Sequence, residues 1–195
     1  MFINTTIFKK MLKQAYKTRG FIIGNDAGHI FIDGWSWVIR VQEEYLTNRI
    51  KAAVVELAGE IPAPEEVFKC HKEEANQYEV PWHEQWDTDK AFDESTNEFE
   101  NTRILLKYAT EDLRVMQDKQ NNHCIVLSEQ YFNLIDEYCM DVEVDTYPVG
   151  PVALSEEGNM LFWKNNIMSV GLCTVHISED TEEDKRLRYL SGRKF

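Results

Sequence analysis

The sequence predicts an α+β fold: two units, each a helix followed by a meander of antiparallel strands, packed together as one domain. Three observations carry the prediction. Residues 5–18 set apolar side chains at helical spacing, and residues 20–25 and 29–41 follow as aromatic-rich strands joined by the turn residues Asn25-Asp26-Ala27-Gly28. The same order, strand or turn then helix then strands, returns in weaker form over residues 124–177. With 195 residues, 43% of them apolar, the chain is long enough to bury one substantial core. The expected organisation is two pseudo-repeats, about 2–80 and 103–177, an acidic insertion at about 81–102 and a charged tail at 178–195.

In the first helix Ile7, Phe8, Met11, Leu12, Ala15 and Tyr16 form the apolar face, and Thr5 or Thr6 can cap the first turn. At about 100° per residue Lys9, Lys10, Lys13 and Lys17 share one arc of roughly 100° on the opposite side. With Arg19 they give residues 1–20 five cations and no acid, and residues 185–195 are again basic without an acid. The net charge is nevertheless −13, so the middle of the chain is strongly acidic, an asymmetry that suggests two different partners or faces. Such a balance argues against uniform attraction to nucleic acid or anionic membranes. The lysine stripe itself has two readings: a solvated helix face, or a surface that tracks phosphates.

Gly20 ends the helix, and Ile30, Ile32, Trp35, Trp37, Ile39 and Val41 mark the second strand, with a break of parity at Asp33-Gly34 that suggests a bulge. Trp35 and Trp37 are expected either as core or as a platform on which bases stack. Residues 47–60 form a short helix with Thr47 as cap and Gly59 as stop, or else a strand. Strands are expected at 67–71 and 77–80. Residues 56–100 then hold fourteen acids against three lysines, and 81–101 is expected to be an acidic, mobile connection. Its Trp82 and Trp86 are either pinned onto the domain or held out for a protein partner. Paired strands follow at 103–108 and 113–117, a strand at 124–127, a helix at 129–139 capped by Ser128, and strands at 141–146, 149–154, 160–165 and 172–177. The tail after Ser178 turns from acidic to basic and is expected to be poorly ordered, or ordered by a partner.

Little in the sequence calls for chemistry. Cys70, Cys124, Cys139 and Cys173 are widely spaced and are expected to be reduced thiols. Cys173-x-x-His176 is the nearest approach to a metal signature, but it lacks the second short-spaced pair of a structural zinc site. The glycines make no phosphate-cradling loop, and the abundant acids nominate no general acid or base. No enzyme activity, catalytic residue, metal or cofactor is therefore expected. Without a signal-peptide pattern or an apolar run approaching about 18 residues, a cytoplasmic protein that does not enter a membrane is the expectation.

The two helix-plus-meander units, with a basic first helix and an aromatic-rich sheet, resemble the DNA sliding-clamp (processivity-factor) fold. The resemblance lies in element order over residues 2–41 and 124–177, without a diagnostic motif. It implies helices that face a DNA hole and strands that form the outer sheet. It also implies oligomerisation, since a ring needs four to six such units, unless the chain acts as an isolated module. The second helix departs from the pattern, because Glu129, Asp136 and Glu137 would repel DNA where the family's helices attract it. Two functions follow. One is a non-enzymatic, clamp-like protein that contacts duplex DNA weakly and non-specifically through Lys9, Lys10, Lys13, Lys17 and Arg19. The other is an acidic protein-binding module of a phage or mobile element, possible as a DNA mimic, that holds a basic partner through its acidic segment with Trp82 and Trp86.

Overall fold

The computed structural model describes residues 1–78 and 80–195. Over these residues the chain forms five α-helices and eleven strands. In chain order they are α1 (Thr5–Thr18), β1 (Phe21–Asp26), β2 (His29–Asp33), β3 (Trp37–Gln42), α2 (Asn48–Ala58), β4 (Val67–His71), β5 (Glu74–Tyr78), α3 (Thr88–Glu94), β6 (Asn97–Tyr108), β7 (Glu111–Asp118), β8 (Cys124–Ser128), α4 (Glu129–Phe132), β9 (Val149–Ala153), β10 (Met160–Lys164), β11 (Met168–Cys173) and α5 (Glu182–Ser191). All strands join one sheet, in the order β5-β4-β1-β2-β3-β11-β10-β9-β6-β7-β8, and every pairing is antiparallel, which makes the fold α+β.

Two meanders meet at the centre of this sheet. β1-β2-β3 and β9-β10-β11 join through their last strands, with Trp37 opposite Leu172 and Val41 opposite Met168. α1 precedes the first meander and α4 the second, and side chains of both belong to the same large core on one face, the front. Strand period fixes what that core is made of: Phe68, Ile23, Ile32, Ile39, Val170 and Trp163 form one register row, all buried on the front. Phe8, Met11 and Leu12 of α1 and Ile50 and Val54 of α2 close over it. Each such side chain contributes about 1.5–3 kcal/mol on burial.

The adjacent register row on the back face is mixed. Gly24, Phe31, Arg40, Ser169 and Lys164 lie side by side and need both an apolar and a charged cover. Residues 82–94 supply it. Trp86, 2% exposed, stacks on Phe31 at 4.7 Å between ring centroids, and its indole N–H donates to Asp33 at 2.9 Å. Thr88 and Ser169 share a hydrogen bond at 2.6 Å, and Lys164 reaches Asp93 at 2.8 Å. Arg40, buried, is met by Asp26 at 3.1 Å and Asp87 at 3.4 Å; its Nε lies 3.4 Å from Asp89 without making a hydrogen bond.

Several expectations are corrected here. The segment expected to be a mobile acidic connection is a strap bound across the back of the sheet, and from Asn97 onward it is β6. Residues 29–41 are a hairpin of β2 and β3, because the chain reverses at Gly34, whose N–H donates to the Trp37 carbonyl at 2.9 Å. The helix expected at 129–139 is one turn, α4, with a 3-10 turn at Glu137–Cys139. Residues 134–136 are recruited by the chain's own start: the Asn4 N–H donates to the Leu134 carbonyl, Ile3 bridges Ile135, and the Asp136 N–H donates to the Phe2 carbonyl. Residues 141–146 alternate in sequence but form no strand, since the Val144 and Asp145 N–H groups fold back onto the Asp141 carbonyl. The last strand is 168–173, not 172–177. Val175 then donates to the Val126 carbonyl and shields the β8 edge, leaving β5 as the exposed one.

The tail is not loose. α5 packs Leu187 and Leu190 on a second core of Leu113, Val115, Cys124, Val126 and Ile177 on the back of β7 and β8. Thr181 caps its first turn by accepting from the Asp184 N–H, and Gln117 accepts from the Phe195 N–H at 3.1 Å. No helix of the described residues is long and apolar enough to cross a membrane.

Candidate nucleic-acid interface

α1 starts where Asn4 accepts from the Thr6 and Ile7 N–H groups, both at 3.1 Å, so the cap is Asn4 and not Thr5 or Thr6. The helix ends into Gly20, whose φ of +79° turns the chain directly into β1; a Cβ there would lie 2.4 Å from the Cys70 carbonyl oxygen. Phe8, Met11, Leu12 and Ala15 are buried, which fixes the rotation of the helix and therefore the direction of its other face. Lys10, Lys13, Lys17 and Arg19 are exposed and Lys9 half-buried, so the structure brings all five sequence-predicted cations to one helix and its C-terminal end.

Their neighbours decide what charge they present. α2 lies on one side, and Lys13 reaches Glu56 at 2.9 Å. Lys13, through that hydrogen bond and its charge, and Lys9 by charge alone hold the Glu56 carboxyl below its usual range. Both partners are exposed, so the pair is screened and contributes little to stability. Among the described residues Lys10, Lys17 and Arg19 form no ion pair. On the other side α4 approaches, with Gln130 donating to Gln14 at 3.2 Å. Glu129, expected to repel DNA, is paired within the chain: Arg114 holds it by two hydrogen bonds, Nε at 2.8 Å and a terminal nitrogen at 2.5 Å, and lies 5.3 Å over the Phe132 ring. Asp136 and Glu137 lie beyond the end of α4, where Asp136 accepts from Asn4 and caps the 3-10 turn.

The row ends at a cavity of about 200 Å3 between α1 and the β2–β3 corner, lined by Gln14, Thr18, Arg19, Trp35, Trp37 and Tyr131 among others. Trp35 sits in the corner with a φ of +73°, a left-handed conformation that costs a bulky residue about 1–3 kcal/mol. Its N–H donates to Asp33 at 2.6 Å and its indole N–H to the Gly20 carbonyl at 2.9 Å, while Lys69 stands 5.7 Å over the ring. Sequence patterning placed Trp35 in mid-strand. The signal of a corner was the Asp33-Gly34 pair, an aspartate whose side chain accepts two residues on and a glycine that can reverse the chain.

Of the two tryptophans predicted to meet a protein partner, Trp86 is taken out of consideration by its burial. Trp82 keeps 46% of its surface, with its ring edge-on to Phe31 at 5.4 Å and to Trp86 at 5.5 Å. The acids around them are largely engaged. Asp87, Asp89 and Asp93 face Arg40 and Lys164, Glu98 pairs with Lys119 at 3.0 Å, and Glu84 lies 3.9 Å from Lys90.

Among the described residues no three His, Cys, Asp or Glu side chains converge as a metal site would require. Burial pushes the Cys70 thiol up to about 12 and the Cys173 thiol up to about 11, far from the thiolate character a nucleophile needs. A scan against protein-family models, a search of curated proteins and a search of solved structures each found no match to this chain.

Proposed function

We propose that this chain is a non-enzymatic DNA-associated protein, sliding-clamp-like in architecture, that contacts duplex phosphates weakly and without sequence preference through α1. The observation that carries the reading is the solvent face of α1, where Lys10, Lys13, Lys17 and Arg19 are exposed on a helix that contains no acid. Like charges four residues apart cost a helix about 0.2–0.5 kcal/mol per pair; Glu56 relieves the Lys9–Lys13 pair from within the chain, and an anion lying farther along α1 would relieve Lys13–Lys17. Eight residues of helix rise about 12 Å, which matches three to four phosphates of one strand. The clamp-like part draws on the two meanders joined at β3 and β11, with α1 and α4 on the same core and touching through Gln14 and Gln130.

The competing reading, an acidic module that captures a basic protein, keeps Trp82 and a few free carboxylates such as Glu94. It is weakened by how many acids of the strap are neutralised within the chain.

The test is fluorescence anisotropy of a labelled blunt duplex across a salt series, with wild type and the K9E/K13E/K17E variant. Four phosphate contacts predict a log–log salt slope of about −3.6, the same for unrelated sequences, and loss of binding in the variant. Absence of wild-type binding at the lowest salt would sink the reading and favour the acidic module.

A further inference from the structure

We propose that Trp35 is a stacking platform for an unpaired nucleobase, set at the end of the α1 cation row so that the chain engages DNA where a duplex passes into single strand. The inference rests on the DNA-binding reading above and narrows it to a kind of site on the DNA.

The five tryptophans divide clearly. Trp37, Trp86 and Trp163 are buried, and Trp82, though half-exposed, has two aromatic rings against it. Trp35 is 42% exposed, and among the described residues no aromatic ring packs on it. Cations and polar groups stand beside its indole: Lys69 lies over one face, and the ring shares the cavity at the end of α1 with Arg19, Thr18 and Gln14 as well as the apolar Met11 and the rings of Trp37 and Tyr131. At about 200 Å3 that cavity is smaller than the sites that take drug-sized ligands, which suits the edge of a single base.

The corner is built to hold the ring still. Its backbone is tied by the Trp35 N–H to Asp33, by the Gly34 N–H to the Trp37 carbonyl and by the Cys173 N–H to the Ser36 carbonyl at 2.9 Å. The indole N–H is anchored on Gly20, the residue that ends α1, so the ring and the last cations of the row share one rigid support. A left-handed turn position favours Gly or Asn. Here it carries the largest side chain instead, half in water, which turn formation does not explain and presentation of a flat apolar surface does. Every base has a π-face, so a fixed indole beside cations that neutralise the adjoining phosphates binds an unpaired base without reading its identity.

The test uses the full chain and two variants, W35N and W35F. Asparagine tolerates the left-handed backbone and removes the ring, and phenylalanine keeps a ring without the anchor on Gly20. Anisotropy is read for a blunt duplex and for the same duplex with a short single-stranded overhang, at low salt. Wild type is expected to prefer the overhang duplex about tenfold, and W35N to lose that preference, with blunt binding changed by less than about twofold and the unfolding temperature not lowered. W35F is expected to recover most of the preference. An undiminished preference in W35N, or an equal loss on both DNAs, overturns the proposal. If K9E/K13E/K17E abolishes blunt binding while W35N changes nothing, the α1 reading stands and stacking falls. If overhang binding depends on Trp35 but not on the lysines, stacking stands and the α1 reading falls. If neither DNA is bound, both fall.

Discussion

The two meanders, β1-β2-β3 and β9-β10-β11, lie on either side of the β3–β11 seam, yet they differ in what precedes the strands. In the first half α1 runs fourteen residues, with a four-residue apolar face and free cations. In the second, α4 is a single turn of four residues, its one acid locked to Arg114, and the chain beyond it is occupied in pairing with residues 2–4. The difference teaches that meander topology does not need both helices. A sheet face can be closed by a helix or by a short extended segment with the right apolar residues, here Leu134 and Ile135. Only a full-length helix also offers a second, continuous surface, and on α1 that surface carries the exposed cations.

The seam offers the severest way to break the comparison. Trp37→Ala removes a buried ring that packs edge-on to Phe8 at 5.8 Å and lies opposite Leu172 across the seam. It is expected to cost about 3–5 kcal/mol in a denaturant titration, unfolding both halves together. Two separate transitions would show that the halves are independent.

A smaller change sharpens the charge difference. Arg114→Ala leaves the Glu129 carboxylate partly buried without its partner, with an expected loss of about 1–3 kcal/mol. It also adds a free negative charge beside α1, so duplex binding is expected to weaken; an unchanged anisotropy curve would mean that α4 does not face the DNA.

The smallest effect at its onset is alkaline. The Cys70 thiol of the first half is raised from 9.0 to about 12, chiefly by burial and then by Glu60, whereas burial of Cys124 in the second half is partly offset by hydrogen bonds from Ser191 and Gln117. A thiol whose folded pKa exceeds its unfolded value keeps the fold stable below the unfolded value and loses that contribution as pH rises through the interval, here from about 9 toward 12. Stability is thus expected to decline above pH 9, and Cys70→Ala to reduce the slope more than Cys124→Ala. Equal slopes in thermal unfolding from pH 8.5 to 10.5 would count against this difference.

Sequence by itself determined the elements whose signals are local. The bounds of α1, the cation row, the stop of α2 at Gly59, and the strands β4, β9 and β10 follow from periodicity and turn residues. These need no knowledge of what lies across the fold. Tertiary structure decided what depends on distant partners. Residues 129–139 carry an adequate helical pattern, but hydrogen bonds from Asn4 and to Phe2, over a hundred residues away in sequence, outbid its continuation past Phe132. The strap at 82–94 looked mobile because its acids outnumber its apolar residues, and their partners Arg40 and Lys164 sit on strands far from it in sequence. Trp35 and Trp37 have the same spacing from a strand's point of view, and only the reversal at Gly34 sends one into the core and the other to the surface. Local free energies of a kilocalorie or so can be read residue by residue, whereas a buried charge or a register row takes its energy from a neighbour that sequence order does not name.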